Sequence, residues 1–265
     1  MYQFNYVKAS NAADAIAKAA AGKDAKILAG GQTLIASMKL RLTGPSDLID
    51  LADCADLRGI KADASGVTIG AMMRHADVAN SADVKRAIPA LARLAGGIGD
   101  RMVRNMGTMG GSVANNDPAA DYPAAVLALN ATITTNKRRI TADDFFKGMF
   151  ETALGADEII TAISFPIPKR AAYMKFKNPA SRYALVGVFI AETSASVRVA
   201  VTGAGPSVFR VPEMEKALSS NFTADAVANI KVPATGLNAD IHAQADYRAH
   251  LITVMAKRAV EQALG

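Results

Sequence analysis

Two short glycine-rich segments constrain the fold of this chain more than any other feature. The first, AGGQT at residues 29–33, joins an apolar stretch typical of a buried strand, AKIL, to a stretch with apolar residues at helical spacing, TLIASMKLRL. Glycine leaves the backbone N–H groups of such a corner accessible, and the first turn of a helix leaves its own N–H groups unpaired. The corner therefore predicts an anion site at Gly30 to Leu34, to which Gln32 and Thr33 add donors. The alternative is a plain strand-to-helix turn.

The second glycine-rich segment, GTMGGS at residues 107–112, alternates glycine with hydroxyl side chains. Its N–H and O–H groups predict a second concave anion site, and the alternative is a glycine-rich surface loop. Asp117 and Asp121 follow; their carboxylates would repel phosphate but accept hydrogen bonds from ribose hydroxyls. Neither segment has the spacing of a Rossmann or P-loop fingerprint. Because no catalytic lysine or metal-ligand set adjoins them, the two segments together favour a bound dinucleotide over nucleotide hydrolysis.

The charge, hydropathy and cysteine patterns exclude several classes of protein. The 30 basic residues are spread among 24 acidic ones without a long basic run, so no nucleic-acid binding is expected. No stretch approaches the roughly 20 apolar residues of a membrane span, and the N-terminal residues lack a signal-peptide pattern, which favours a cytoplasmic location. The single cysteine, Cys54, cannot form an internal disulfide or ligate an iron–sulfur cluster alone, so any metal chemistry belongs to a partner.

Helix, strand and turn signals predict three parts, 1–57, 58–168 and 169–265. The first is a small α/β unit in which a helix beginning at Asn11 precedes AKIL, TLIASMKLRL and a further strand, DLIDL. The second contains a strand, GVTIGAMM, and a helical region interrupted at Pro89. A strand at the β-branched end of AAVLALNATITT and a strand in ADEIITAISFPIP, ended by prolines, follow. In the third, ALVGVFIAETS and SVRVAVTGAG predict strands, and the last 20 residues predict an amphipathic helix.

The chain resembles the FAD-binding medium subunit of the molybdenum hydroxylases, which include carbon monoxide dehydrogenase and xanthine dehydrogenase. The motifs that carry the resemblance follow one another over residues 1–265: AGGQTLIASMKLRLTGPSDLIDL, IGAMMRHADVA, VRNMGTMGGSVANNDPAADYPAAVLALNA, ISFPIP and YMKFKNPASRYALVGV. The resemblance implies an α+β fold of the vanillyl-alcohol-oxidase type. In it, two α/β subdomains, 1–57 and 58–168, clasp FAD, and a C-terminal α+β domain, 169–265, follows.

The resemblance also implies the residues that contact FAD. Two pyrophosphate-binding loops are formed by Ala29, Gly30, Gly31, Gln32, Thr33 and Leu34, and by Thr108, Met109, Gly110, Gly111 and Ser112. Asp121 matches an FAD-contacting aspartate, Lys175 a lysine near the flavin ring that would stabilise the anionic reduced flavin, and Ile163 a residue packed on the isoalloxazine. Two positions depart from the family pattern: Met102 stands where many relatives have glutamine, and Arg182 is not followed by an acidic residue.

In function, the resemblance implies a subunit that relays electrons. A large subunit oxidises substrate at a molybdenum cofactor, two [2Fe-2S] clusters in a small subunit carry the electrons to FAD, and FAD passes them to an acceptor such as NAD or quinone. The complex is expected to be a dimer of heterotrimers, in the cytoplasm or at the inner face of the membrane, and this chain has neither a catalytic residue nor a metal site. The alternatives are a free-standing FAD-dependent oxidase or dehydrogenase and a flavin-free interaction subunit.

Several other polar and sulfur-containing residues have simpler interpretations. His75, His242 and His250 lack metal-ligand spacing and are expected at the surface or as helix caps. The methionines at positions 72, 73, 102, 106 and 109 are expected to fill gaps in the core rather than to line a flexible pocket. Cys54, with no adjoining histidine or lysine, is expected to be a small buried apolar residue rather than a nucleophile.

Overall fold

A three-stranded parallel sheet organises the first part of the chain in the computed structural model, which describes residues 1–265. The elements are β1 (Asn5–Lys8), α1 (Ala12–Ala21), β2 (Ala25–Leu28), α2 (Leu34–Lys39) and β3 (Asp47–Asp50), and the strand order is β1-β3-β2. Helix α1 begins as predicted, because the Asn11 side chain accepts the N–H of Asp14 at 2.9 Å. Helix α2 is shorter than predicted, since the main chain turns left-handed at Arg41 (φ 60°).

A five-stranded antiparallel sheet with helices packed on it forms the middle part. After a 3-10 turn (Ala55–Leu57), its strands are β4 (Ile60–Asp63), β5 (Gly66–Gly70), β6 (Thr132–Thr135), β7 (Arg139–Thr141) and β10 (Ile160–Phe165), in the order β4-β5-β10-β6-β7, and β8 (Phe146–Gly148) pairs with β9 (Glu151–Thr152). The helices are α3 (His75–Asn80), α4 (Ala82–Ala87), α5 (Pro89–Gly96), α6 (Arg101–Met106), α7 (Met109–Asn115), α8 (Tyr122–Ala128) and α9 (Ala142–Phe145).

One prediction for the middle part needs correction, and another is confirmed. The predicted helical region is three helices, because Ser81 caps the start of α4 as well as Pro89 beginning α5. In AAVLALNATITT the β-branched end forms a strand, β6, as predicted, and the apolar residues before it belong to α8. Every residue of α8 is buried, so the helix is apolar on all sides and its sequence shows no helical periodicity.

A four-stranded antiparallel sheet lies at the centre of the third part. Its elements are β11 (Arg170–Lys177), β12 (Ala184–Glu192), β13 (Val197–Thr202), β14 (Phe209–Arg210), α10 (Pro212–Ser220), α11 (Ala224–Ala228) and α12 (Ala245–Leu264). Strand β12 is apolar up to its last residue, Glu192, because both faces are covered: Val188 and Ile190 pack in the core under α12, and Phe189 packs in the core of the middle part. The expected α+β architecture is confirmed. None of the helices, the 20-residue α12 included, combines the length and apolar content needed to cross a membrane.

Candidate functional site

A cavity of about 440 Å³ lies where the two glycine-rich segments meet, and it contains most of the predicted site residues. Residues 29–34 form one wall and residues 107–112, except Met109, form another. Asp121 and several residues that the sequence did not predict to be site residues complete the lining, among them His75, Ile98, Ile159, Ile160 and Tyr183. Its volume is typical of a small-molecule site. A groove of about 590 Å³ between residues 205–211 and 230–237 contains none of the predicted residues.

The first glycine-rich segment presents six backbone N–H groups, those of Ala29 to Leu34, that donate no hydrogen bond to the protein. Intramolecular hydrogen bonding resumes only at Ile35, whose N–H donates to the Gly31 carbonyl at 3.1 Å. Gly31 adopts a left-handed conformation (φ +70°) that favours glycine. Because backbone N–H groups in folded proteins are almost always paired with protein or solvent, a consecutive row of free ones on a cavity wall is suited to an anion.

The second glycine-rich segment uses its backbone N–H groups differently from the expectation. It is the start of α7, and the N–H groups of Met109 and Gly110 donate to the carbonyls of Met73 (3.0 Å) and Ala71 (2.8 Å). The N–H groups of the two residues that follow Gly110 bond to Thr108, through its hydroxyl at 3.2 Å and its carbonyl at 3.0 Å. The predicted row of free amides is therefore not found over 109–112.

Hydroxyl groups are the donors that this second segment retains. The Thr108 hydroxyl accepts the Gly111 N–H, which leaves its own proton free to be donated. The Ser112 hydroxyl has no hydrogen-bond partner in the protein, and both residues line the cavity. The second segment can therefore contact a ligand mainly through side chains, whereas the first does so through the main chain.

The glycines also allow the two segments to touch each other. A Cβ atom on Gly30 would lie 2.2 Å from the Met106 carbonyl oxygen and 2.7 Å from the Gly107 Cα atom. A Cβ atom on Gly110 would lie 2.5 Å from the Cβ atom of Ala71. Close packing of the main chain therefore requires glycine at both positions. The sequence had suggested only one reason for these glycines, the close approach of a phosphate.

Asp121 is a buried carboxylate held by two side chains of β11. Tyr173 and Lys175, two residues apart on one strand face, reach its Oδ1 atom at 2.6 and 2.8 Å, and the Lys175 ammonium also donates to the Gly97 carbonyl at 3.0 Å. Burial raises the pKa of Asp121, and the Lys175 charge acts in the opposite direction. Because Oδ2 accepts no hydrogen bond from the protein and the residue lines the cavity, it is free to accept one from a ligand.

Lys175 and Ile163 do not line the cavity, in contrast to what the resemblance implies. The Lys175 ammonium forms an ion pair with Asp121 and is buried, and Lys175 is not part of the cavity lining. Ile163 is fully buried in the core of the middle part, between its strand partners Ile69 and Ile133. The cavity is lined instead by Ile160, next to an irregularity in the β10 pairing that the sequence pattern does not show.

His75 is neither exposed nor a simple cap, so the expectation for it was wrong. Its side chain is buried, lines the cavity and lies 5.3 Å from the Tyr122 ring, centroid to centroid. Burial, with a smaller contribution from the Arg104 charge, lowers the pKa of the imidazole to about 4. The ring is therefore neutral near pH 7.

The sulfur-containing residues divide into two groups. Cys54 is fully buried, as expected, and burial raises its pKa. Met72 and Met109 are buried in the core and the half-buried Met73 packs against it, as expected, but Met102 and Met106 are exposed and do not fill core gaps. Met102 and Met106 lie on α6, a helix with no buried residue.

The donor set of the cavity fits one chemical class of ligand. Six main-chain N–H groups and two hydroxyls can donate to a diphosphate, and the Asp121 carboxylate can accept from sugar hydroxyls. Apolar side chains, Ile98, Ile159 and Ile160, offer surface to a flat ring. These groups together suit a dinucleotide such as FAD.

Comparison with known proteins agrees with this chemistry. The family model described as the FAD binding domain in molybdopterin dehydrogenase matches residues 2–168, and that of the CO dehydrogenase flavoprotein C-terminal domain matches residues 171–263. The nicotine 6-hydroxylase medium subunit of Paenarthrobacter nicotinovorans is 34% identical over 272 residues, which cover 97% of this chain and 96% of the relative. The glyceraldehyde dehydrogenase medium chain of Sulfolobus acidocaldarius is 36% identical over 225 residues, 81% of this chain and 80% of the relative.

A solved structure shows the same architecture. Carbon monoxide dehydrogenase from Hydrogenophaga pseudoflava, in a form that lacks the Mo-pyranopterin moiety, contains a chain with a TM-score of 0.89 and 34% identity. The match covers 99% of this chain and 97% of that one. Both family models and these relatives lead to one assignment: the chain belongs to the FAD-binding medium subunits of the molybdenum hydroxylases.

Proposed function

We propose that this chain binds FAD across its two glycine-rich segments and relays electrons from the [2Fe-2S] clusters of a partner subunit to an external acceptor. The observation that carries the proposal is the row of six free N–H groups over Ala29 to Leu34, residues that line a cavity together with Asp121, whose Oδ2 atom is also free. A diphosphate needs hydrogen-bond donors such as these N–H groups, and a ribose hydroxyl needs an acceptor such as the Asp121 carboxylate.

Each contact has a defined task in this proposal. The amides of the first segment, with the hydroxyls of Thr108 and Ser112, hold the diphosphate, and Asp121 accepts a ribose hydroxyl. Lys175 and Tyr173 act indirectly, since they fix the Asp121 carboxylate. Bound FAD supplies the redox chemistry, because it can take up electrons singly and release them singly or as a hydride. The chain itself binds FAD, orients it and shields it from solvent.

The partners follow from what the chain lacks. Cys54, its single cysteine, is buried and cannot ligate a cluster alone. We therefore assign the [2Fe-2S] clusters to a small subunit and the molybdenum cofactor to a large one, with NAD or quinone as the acceptor. The complex is proposed to be a dimer of heterotrimers that works in the cytoplasm or at the inner face of the membrane. Several similar proteins are themselves named medium chain or medium subunit, which supports a multi-subunit complex.

The test is co-purification with cofactor analysis. The tagged full chain should be isolated yellow, together with two further subunits, iron and molybdenum. Heat should release a flavin that phosphodiesterase converts to FMN. A colourless chain that cannot be reconstituted with FAD would contradict flavin binding. A yellow chain without metal-containing partners, whose flavin is reduced directly by an organic substrate, would instead support the free-standing oxidase, and a stable complex without flavin the interaction subunit.

A further inference from the structure

His75 occupies a position that no expectation for the cofactor site included. Its backbone N–H donates to the Gly107 carbonyl at 3.0 Å, so its ring lies directly against the second glycine-rich segment. A Cβ atom on Gly107 would lie 2.5 Å from the imidazole Nε2 atom, so the absence of a side chain there makes room for the ring. His75 is only 4% exposed, and it lines the cavity.

The two ring nitrogens of His75 have different surroundings. Nδ1 is buried and has no hydrogen-bond partner in the protein. Nε2 also has no protein partner, but it is not among the fully buried polar atoms without one, so it retains access to the cavity. The Tyr122 hydroxyl is likewise buried without a partner, and the two rings lie 5.3 Å apart at an interplanar angle of 52°.

These two orphaned atoms are complementary. A phenol O–H is a donor and an unprotonated Nδ1 is an acceptor, so a link between them, direct or through a water, would leave the imidazole proton on Nε2. Unpaired buried polar atoms are costly, so we expect these two groups on adjacent rings to be linked when the site is occupied. Arg104 is a cation whose charge acts on the ring. An N–H that points to the cavity beside a cation is suited to an anionic acceptor.

We propose that His75 is an additional cofactor-binding residue, whose Nε2–H donates to a phosphate oxygen of FAD while Tyr122 fixes the tautomer from the opposite side of the ring. This inference rests on the proposed binding of FAD. It adds a side-chain donor to the main-chain donors of the first segment.

Two substitutions of His75 test its two ring nitrogens one at a time. In His75→Gln the amide nitrogen replaces Nε2, and in His75→Asn it replaces Nδ1. The measurement is the FAD dissociation constant of the full chain purified with its partners, by fluorescence titration after flavin removal. His75→Asn should weaken binding about tenfold or more, as expected for a lost hydrogen bond to a charged group, and His75→Gln should stay within about threefold of the original chain.

Phosphorus NMR and a third variant identify the contact. In His75→Gln the ³¹P resonances of bound FAD should stay close to those of the original chain, and in His75→Asn one should shift. Tyr122→Phe, which removes the donor to Nδ1, should weaken FAD binding several-fold without lowering the melting temperature as far as a lost core contact would.

The outcomes distinguish this inference from the proposed function. If the original chain does not bind FAD, the proposed function fails and the inference fails with it. If the original chain binds FAD but His75→Asn binds it equally well, or if both variants lose affinity to the same extent, donation from Nε2 is refuted while the proposed function stands.

Discussion

Substitution of Gly30 by alanine tests whether contact between the two glycine-rich segments shapes the site. The added Cβ atom would lie 2.2 Å from the Met106 carbonyl oxygen, about 1 Å closer than a carbon–oxygen contact allows. Both obstructing groups belong to the main chain, so no side-chain rotation relieves the overlap. Because Gly30 does not have a positive φ, its backbone conformation itself suits alanine, and the effect arises from the contact alone.

The expected cost is that of overpacking, about 1–3 kcal/mol, which corresponds to a fall in melting temperature of roughly 3–10 °C for a chain of this size. The row of free amides should also move, so FAD retention, measured as flavin absorbance per protein, should fall by at least tenfold. The matched control is Gly96→Ala on α5, where a Cβ atom would lie 3.8 Å from that of Ala79 and should be neutral or stabilising. A Gly30→Ala protein with unchanged melting temperature and flavin content would refute the reasoning.

Three further predictions test single groups. Ser112→Ala should leave the melting temperature unchanged, because the hydroxyl has no protein partner, but should weaken FAD binding about three- to tenfold in a fluorescence titration. Asp121→Asn should lower the free energy of unfolding by about 3 kcal/mol in urea denaturation, because it leaves the buried Lys175 ammonium unpaired; an unchanged midpoint would contradict the ion pair. The pKa of His75 is 6.5 in the unfolded chain and about 4 in the folded chain, so between these pH values the unfolded chain binds more protons. The free energy of unfolding should therefore fall by up to about 3 kcal/mol from pH 6.5 to pH 4. His75→Gln should remove this part of the pH dependence, and an unchanged pH profile in that variant would contradict it.

Local signals predicted most of the elements correctly. Asn11 capping Asp14 fixed the start of α1, and AKIL formed β2 directly before the first glycine-rich segment. The helix α2 after that segment also begins within one residue of its predicted start. For the two helices the deciding interaction joins residues fewer than five positions apart, and such interactions can be inferred from spacing. Strand β2 was predicted from its apolar run, although it pairs with β3, 22 positions further along the chain.

The features that the sequence did not reveal depend on distant residues. The amides of Met109 and Gly110 are engaged by the carbonyls of Met73 and Ala71, more than 30 positions away, and only the fold brings these groups together. The burial of His75 likewise depends on Tyr122, from a later helix. Both residues carry a polar group and lie at the start of a helix. The spacing of apolar residues along these helices does not indicate which of the two polar groups faces a cavity.

Domain division and cofactor contacts remain predictions of different kinds. The boundaries at 57 and 168 are derived from turn signals and from the resemblance. The role of Ala29 to Leu34 is derived from an absence of intramolecular hydrogen bonds, which only the structure shows. The role of these six amides can be tested residue by residue.

Amide hydrogen exchange with and without FAD is the most direct measurement of that role. The backbone N–H groups of Ala29 to Leu34, free in the protein alone, should exchange rapidly without FAD and at least tenfold more slowly with it. Those of Met109 and Gly110, already bonded within the protein, should be protected in both states. If FAD binds and the exchange of residues 29–34 does not change, these amides do not hold the diphosphate, and the central claim is contradicted.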